Sequence, residues 1–254
     1  MDGAKLFLPT NFESNVRNTR CKPVLHSLDE YSQVSILRDV SEGMGDLIIL
    51  AERLADSSRP APNGRSAFFF DLACPFSYLA AERIERILGE VDWIPTAAVN
   101  LQVGRGRWEA PTVCREAERR AAELRLPLVW PDRFPAAVPS ALRAATYAAE
   151  LGAGAKFALA ASRLAFCGGF DLEDLEVLAE AAAAAGIPLE ECLSAARDPG
   201  RDSSLHATAR SLLARGVRRV PAIRVSRRWF EGEQAIVAAA AMLRASSADL
   251  APAG

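Results

Sequence analysis

Between Ala67 and Ala73 the chain reads Ala-Phe-Phe-Phe-Asp-Leu-Ala, a short and almost wholly apolar run, and it stops at Cys74-Pro75. An apolar run of that length without polar alternation is what a strand covered on both faces requires. Proline breaks such a strand but suits the first turn of a helix, where its missing N–H has no partner to lose. Apolar residues at 76, 79, 80, 84, 87 and 88, with Glu and Arg between them, predict a helix over Phe76–Leu88 closed by Gly89. Val91–Val99 predicts a second strand, and Pro95 places it near a sheet edge. The folded part of the chain therefore opens β-α-β.

From Arg115 to about Arg215 the pattern is helical. The segments are Arg115–Glu123, Ser140–Leu151, Ala155–Phe166, Leu172–Ala185, Leu189–Ala196 and Ser204–Arg215, with the loop Leu126–Pro135 after the first. Asp171, with Asp174 three residues on, predicts the start of the fourth. Pro221–Val225 and Arg228–Phe230 then read as strands and Glu233–Arg244 as a closing helix. The order β-α-β, helical block, α-β-β-α predicts an α/β domain with a mixed sheet and an all-helical domain inserted in its middle. The core falls at 66–110 and 204–245, the insertion at 111–203, and a flexible tail at 246–254.

Ahead of the domain, residues 1–65 form a separate extension. The apolar stripe from Leu28 to Leu54 predicts an amphipathic helix, weakened at Gly43 and Gly45, and Asp56–Arg65 is a linker by composition. Either it is an interaction arm, partly disordered, or a tail with no role of its own.

Composition narrows the function. Lys+Arg 30 against Asp+Glu 32 leaves a formal net charge of −2, so no global positive field exists to hold nucleic acid or an anionic membrane. No apolar run reaches the ~20 residues of a spanning helix, and Met1–Ser14 lacks the long apolar stretch of a secretory signal. The expected location is the cytoplasm. There Cys21, Cys74, Cys114, Cys167 and Cys192, odd in number and scattered, are thiols and not a disulfide framework. With only His26 and His206, far apart, no metal is expected.

Chemistry concentrates at Cys74. Just past a buried strand and just before a helix, its sulfur meets unpaired backbone N–H groups and the positive end of the helix dipole. This predicts an accessible thiol whose pKa falls below the ordinary value. Ser77 shares the first helical turn and can donate its hydroxyl to the sulfur. The alternative is a small buried hydrophobe. A second signal is Val220-Pro221 at the mouth of the later strand. From the residues alone that bond is trans; a cis bond would turn the backbone of Val220 outwards, towards a peptide-like ligand.

Together these residues resemble a family. Phe68-Phe-Phe-Asp-Leu-Ala-Cys-Pro-Phe-Ser-Tyr-Leu-Ala80 is similar to the opening of the DsbA-like thioredoxin-fold proteins, above all the branch of 2-hydroxychromene-2-carboxylate isomerase and kappa-class glutathione transferase. Leu126–Pro131, Ser140–Ala145, Phe166–Asp171, Gly216–Ala222 and Trp229–Gln234 echo the family in the same order, and the likeness spans about 66–245. It implies a thioredoxin-like sheet with an inserted helical domain. Cys74 falls where the isomerases carry their catalytic serine and DsbA its first cysteine, and Ser77 where DsbA has its second. Pro221 matches the family's cis-proline, and Val220 the residue whose backbone holds glutathione or peptide. Gly232, Glu233 and Gln234 stand, loosely matched, where the isomerases hold glutathione, with Pro75 and Phe76 beside the sulfur.

The resemblance implies a thiol enzyme that uses Cys74, tuned by Ser77, for glutathione- or thiol-linked oxidoreduction or isomerisation. The rival is a degenerate binding or scaffold domain. The enzyme's partners would be a small-molecule thiol or an electrophilic substrate, with no nucleic acid, no membrane, and a homodimer left open. Lacking a cysteine at 77, it could form no disulfide within the motif; Cys114, Cys167 or Cys192 would resolve an adduct only if the helical block brings one near, and ordinary packing is the alternative. Arg218-Arg219 and Arg227-Arg228 flank the Pro221 strand, either as attractors of a carboxylate-bearing ligand or as a solvated face. His206 is expected on the surface or in helix packing.

Overall fold

The computed structural model describes residues 65–101 and 110–248. Cys21, His26, the arm expected over Leu28–Leu54 and most of its linker lie outside them.

The apolar run forms β1 (Ser66–Phe70), buried at every position. β2 (Val91–Pro95) runs parallel to it, with Phe70 beside Pro95, and β3 (Ala222–Val225) runs antiparallel on its other side. β4 (Arg228–Glu231) pairs antiparallel with β3, which gives the sheet order β2-β1-β3-β4. β1 is thus flanked on both sides and covered on both faces, the environment its composition demands. Pro95 ends an edge strand, where a missing donor costs no ladder bond.

The helix expected over Phe76–Leu88 is two helices, α1 (Pro75–Ala81) and α2 (Ile84–Leu88). The break falls at Arg83, whose backbone leaves the helical region as its guanidinium turns to Glu233. Gly89, at φ 75°, closes α2 as its sequence position predicts.

The helical block comprises α3 (Ala110–Leu124), α4 (Pro139–Glu150), α5 (Gly154–Phe166), α6 (Leu175–Ala185) and α7 (Leu189–Arg197), followed by α8 (Asp202–Ala214). α6 begins three residues later than Asp171 suggests. Asp174 is its cap, accepting from the Glu176 N–H, while Asp171 caps the preceding turn through the Glu173 N–H. After a short 3₁₀ turn, α9 (Ile236–Ala248) closes the chain and runs into the stretch expected to be a flexible tail.

Alternation along the strands sorts the interior into two cores. Phe68, Phe70, Trp93, Ile223 and Val225 face one way, into the larger core shared with α1, α4, α5, α6 and α9. Ala67, Phe69 and Ala222 face the other, against Ala209 and Leu212 of α8, Leu101, Val217, Val220 and Cys74. The loop expected over Leu126–Pro135 joins the larger core through Trp130 and Phe134, and its Pro127 carbonyl accepts the Tyr78 hydroxyl at 2.8 Å.

Candidate active site

The sheet ends one residue before Asp71, and the chain turns at once: the Cys74 N–H donates to the Asp71 carbonyl at 3.1 Å. Cys74 is the last extended residue before α1, with Pro75 at the first helical position. Its carbonyl accepts from the N–H groups of Ser77 and Tyr78 at 3.0 and 3.2 Å, which fixes the sulfur at the helix mouth. Ser77 is buried, and its oxygen accepts the Asp71 N–H at 3.3 Å. Its hydroxyl is turned to the Cys74 sulfur.

From the far end of the chain comes the corner at Val220-Pro221. The bond is cis, and the Val220 carbonyl lies 3.7 Å from Cys74 Sγ, near enough to accept the thiol proton. The Pro221 carbonyl accepts the Gly232 N–H at 2.7 Å, which draws the Gly232–Gln234 loop to the same corner. Gly232 sits at φ 88°, a backbone conformation that any side chain would strain. The fold therefore brings three sequence-distant pieces, 74–77, 220–221 and 232–234, to one end of the sheet.

The sulfur itself departs from expectation. Cys74 is 7% exposed, and burial pushes its thiol up to about 11. The N–H groups of Ser77 and Phe76 and the Ser77 hydroxyl act in the opposite sense and are outweighed, while the nearby Asp71 charge opposes a thiolate further. Sequence reasoning counted the donors, which are local, and could not count the desolvation, which comes from Leu101, Val220 and α8, brought in from elsewhere in the chain.

Asp71 is a site residue the sequence reading quoted without giving it a role. It is buried and accepts the Ala73 N–H at 2.8 Å and the Ala98 N–H at 2.6 Å. The second bond ties the Cys74 loop to the 3₁₀ turn Ala98–Leu101, and Leu101 packs in the same core as the sulfur. Burial raises its carboxyl to about 6. An acid placed where an apolar strand ends was the available signal.

Glu233 lies inside the protein. Its carboxylate is buried and gripped by two guanidiniums, from Arg83 and, at 2.5 Å, from Arg120 of α3. Both ion pairs are internal to the protein; Gln234, by contrast, is exposed. The other described cysteines serve packing. Cys192 is sealed in the larger core and Cys114 is buried on α3, while Cys167 is half-buried at 3.2 Å from the Tyr78 hydroxyl. His206 is exposed on α8 near Asp202. Among the described residues no His/Cys/Asp/Glu group could hold a metal ion, and no helix is long and apolar enough to cross a membrane.

Comparison with known proteins agrees with this geometry. A DsbA-like thioredoxin domain matches residues 67–244. The structure is similar to 2-hydroxychromene-2-carboxylate isomerase, with a TM-score of 0.63 at 16% identity, covering 74% of this chain and 99% of that one. It is similar also to the cytosolic disulfide reductase DsbM of Pseudomonas aeruginosa, solved with GSH, with a TM-score of 0.54 at 19% identity, covering 72% of this chain and 98% of that one. No curated protein matches the chain.

Proposed function

The chain belongs to the DsbA-like thioredoxin domain family, and on that premise we propose that it is a cytoplasmic thiol enzyme whose reacting atom is Cys74 Sγ. The observation that carries this reading is the meeting of that sulfur with the Val220 carbonyl, 146 positions away in sequence, at a helix mouth furnished with N–H and O–H donors. Pro75, Phe76, Val220, Pro221, Gly232 and Gln234 frame the seat for a thiol-bearing ligand. Glutathione, the ligand printed for the DsbM structure, is the proposed cosubstrate.

The reaction these groups support best is single-cysteine exchange. The Cys74 sulfur attacks one sulfur of a disulfide, a new S–S bond forms, and the old one breaks. The departing thiolate takes up the proton that Cys74 releases. With Ser77 in place of a second cysteine, the mixed disulfide waits for an external thiol, which restores Cys74 and leaves as the new disulfide. The resting sulfur is a protonated thiol, because burial outweighs its donors. A ligand that displaces the Val220 carbonyl from the sulfur removes the acceptor that favours the neutral form and leaves the Ser77 and Phe76 donors for the anion.

A second reading, a binding or scaffold domain with a silent thiol, is favoured by the same burial. Incubation with oxidised glutathione and peptide mass spectrometry separates the two. One glutathionyl group on Cys74, lost on adding reduced glutathione, is the expected result; a Cys74 left bare while Cys167 is modified overturns the enzyme.

A further inference from the structure

Residues 203–230 contain Arg210, Arg215, Arg218, Arg219, Arg224, Arg227 and Arg228 and not one Asp or Glu, in a chain whose formal net charge is −2. Arginine is abundant throughout, and elsewhere most of the described arginines are spent on carboxylates. Arg83 and Arg120 share Glu233, Arg143 grips Asp202, Arg163 grips Glu82, and Arg201 reaches Glu150. Within 203–230 Arg215 is partnered, and Arg219 makes a long ion pair with Glu231 at 3.9 Å. The Arg218 backbone N–H donates to the same carboxylate at 3.1 Å, and among the described residues the guanidiniums of Arg210, Arg218, Arg224, Arg227 and Arg228 pair with no carboxylate.

This charge runs from the thiol corner to the far end of the β3–β4 hairpin. Arg218 and Arg219 immediately precede Val220, whose carbonyl faces Cys74. In the sheet, Arg224 stands opposite Trp229, on the face that also carries Ala222, Ala67 and Phe69. The Arg215 guanidinium lies 5.9 Å over the Trp229 ring. Arg227 and Arg228 belong to the β3–β4 hairpin, and β4 is an edge strand whose outer side has no partner strand among the described residues.

We infer that the substrate of Cys74 is an acidic polypeptide segment whose cysteine is in mixed disulfide with glutathione, held by this guanidinium face and laid along the β4 edge. The inference rests on the reading of Cys74 as the reacting thiol. Guanidiniums meet carboxylates in pairs of parallel hydrogen bonds, and an uncompensated cluster concentrates anions at its surface. The unpaired edge offers N–H and C=O groups that an extended main chain can use and a nucleic acid cannot. The cluster also runs from α8 to the hairpin, more cationic groups than the two carboxylates of glutathione can meet. In the exchange, the Cys74 sulfur bonds to the peptide's cysteine sulfur. The peptide's bond to glutathione breaks, and glutathione departs with the proton that Cys74 gives up.

The test uses the full-length protein and two synthetic peptides, each with one cysteine held as its glutathione mixed disulfide, one flanked by glutamates and the other by lysines. Mass spectrometry follows peptide bound to Cys74 with time. At low salt the acidic peptide is expected to react about tenfold faster, an advantage that shrinks as sodium chloride is raised. R218E/R219E and R227E/R228E, with unchanged melting temperatures, should each erase most of the difference. Equal rates for the two peptides, a difference indifferent to salt, or variants that keep it overturn the inference. A single-stranded oligonucleotide that displaces fluorescently labelled acidic peptide more effectively than unlabelled peptide does overturns it in favour of nucleic acid. If Cys74 reacts with neither peptide nor oxidised glutathione while the labelled acidic peptide still binds, the thiol reading fails and the guanidinium surface stands alone.

Discussion

The two faces of the sheet are built on different terms. One carries Phe68, Phe70 and Trp93, with the Phe68 and Trp93 rings edge to face at 4.9 Å, and it is covered by α9 and the helical block. The other carries Ala67 and Ala222 with Phe69, and it is covered by α8 and the turn at Leu101. Large interlocked rings contribute stability through buried area and packing. Small side chains on the opposite face let a backbone corner and a sulfur approach the sheet closely. Stability and reactivity are thus divided between the two sides of the same strands, since Phe68 and Phe69 are neighbours in β1.

The division can be tested by substitution. Phe68→Ala should cost roughly 3–5 kcal/mol, read from the denaturant midpoint, and Phe69→Ala about half as much. Equal losses would mean that the faces are equivalent. Glu233→Gln leaves the Arg83 guanidinium without its counter-ion and Arg120 with Glu123 alone, and a loss of about 3 kcal/mol is expected.

On the thin face the signature is pH. Asp71 ionises near 3.8 when unfolded and at about 6 when folded. Between those values the folded chain holds a proton that the unfolded chain has released. Stability should therefore fall as pH rises through that window, by on the order of 3 kcal/mol. Asp71→Asn should remove that slope, and a variant whose curve stays parallel to the parent's contradicts the assignment. The smallest effect is at the sulfur. Alkylation of Cys74 should still be accelerating above pH 9, since its thiol titrates at about 11. Ser77→Ala should slow it a further few-fold at a fixed pH, by removing one donor to the anion. A plateau below pH 8 would place the thiolate outside the buried setting described above.

What could be read along the chain was what depends on neighbours in sequence. The apolar run into Cys74-Pro75 announces strand then helix, Pro95 announces an edge, and Gly89 announces a helix end. The bounds slipped where side chains compete locally: Asp171 and Asp174 both cap, and only the second opens α6. The site was legible as a set of residues through family likeness, and illegible as an electrostatic environment. The reach of Arg83 and Arg120 to Glu233 spans 150 and 113 positions, and no periodicity carries such information. The same holds for the desolvation of Cys74. Its sign is set by Val220, Leu101 and α8, which meet it only after the sheet has formed.

The carboxylate shared by Arg83 and Arg120 also restricts how the molecule can move. Arg83 belongs to the α1–α2 junction that follows the sulfur, and Arg120 to the helical insertion. Any hinge that parted those two bodies would break the Glu233 carboxylate from at least one of its guanidiniums in a dry joint. That side can act only as a pivot, and whatever widening admits a substrate must swing from the opposite rim, where α8 and the hairpin meet water.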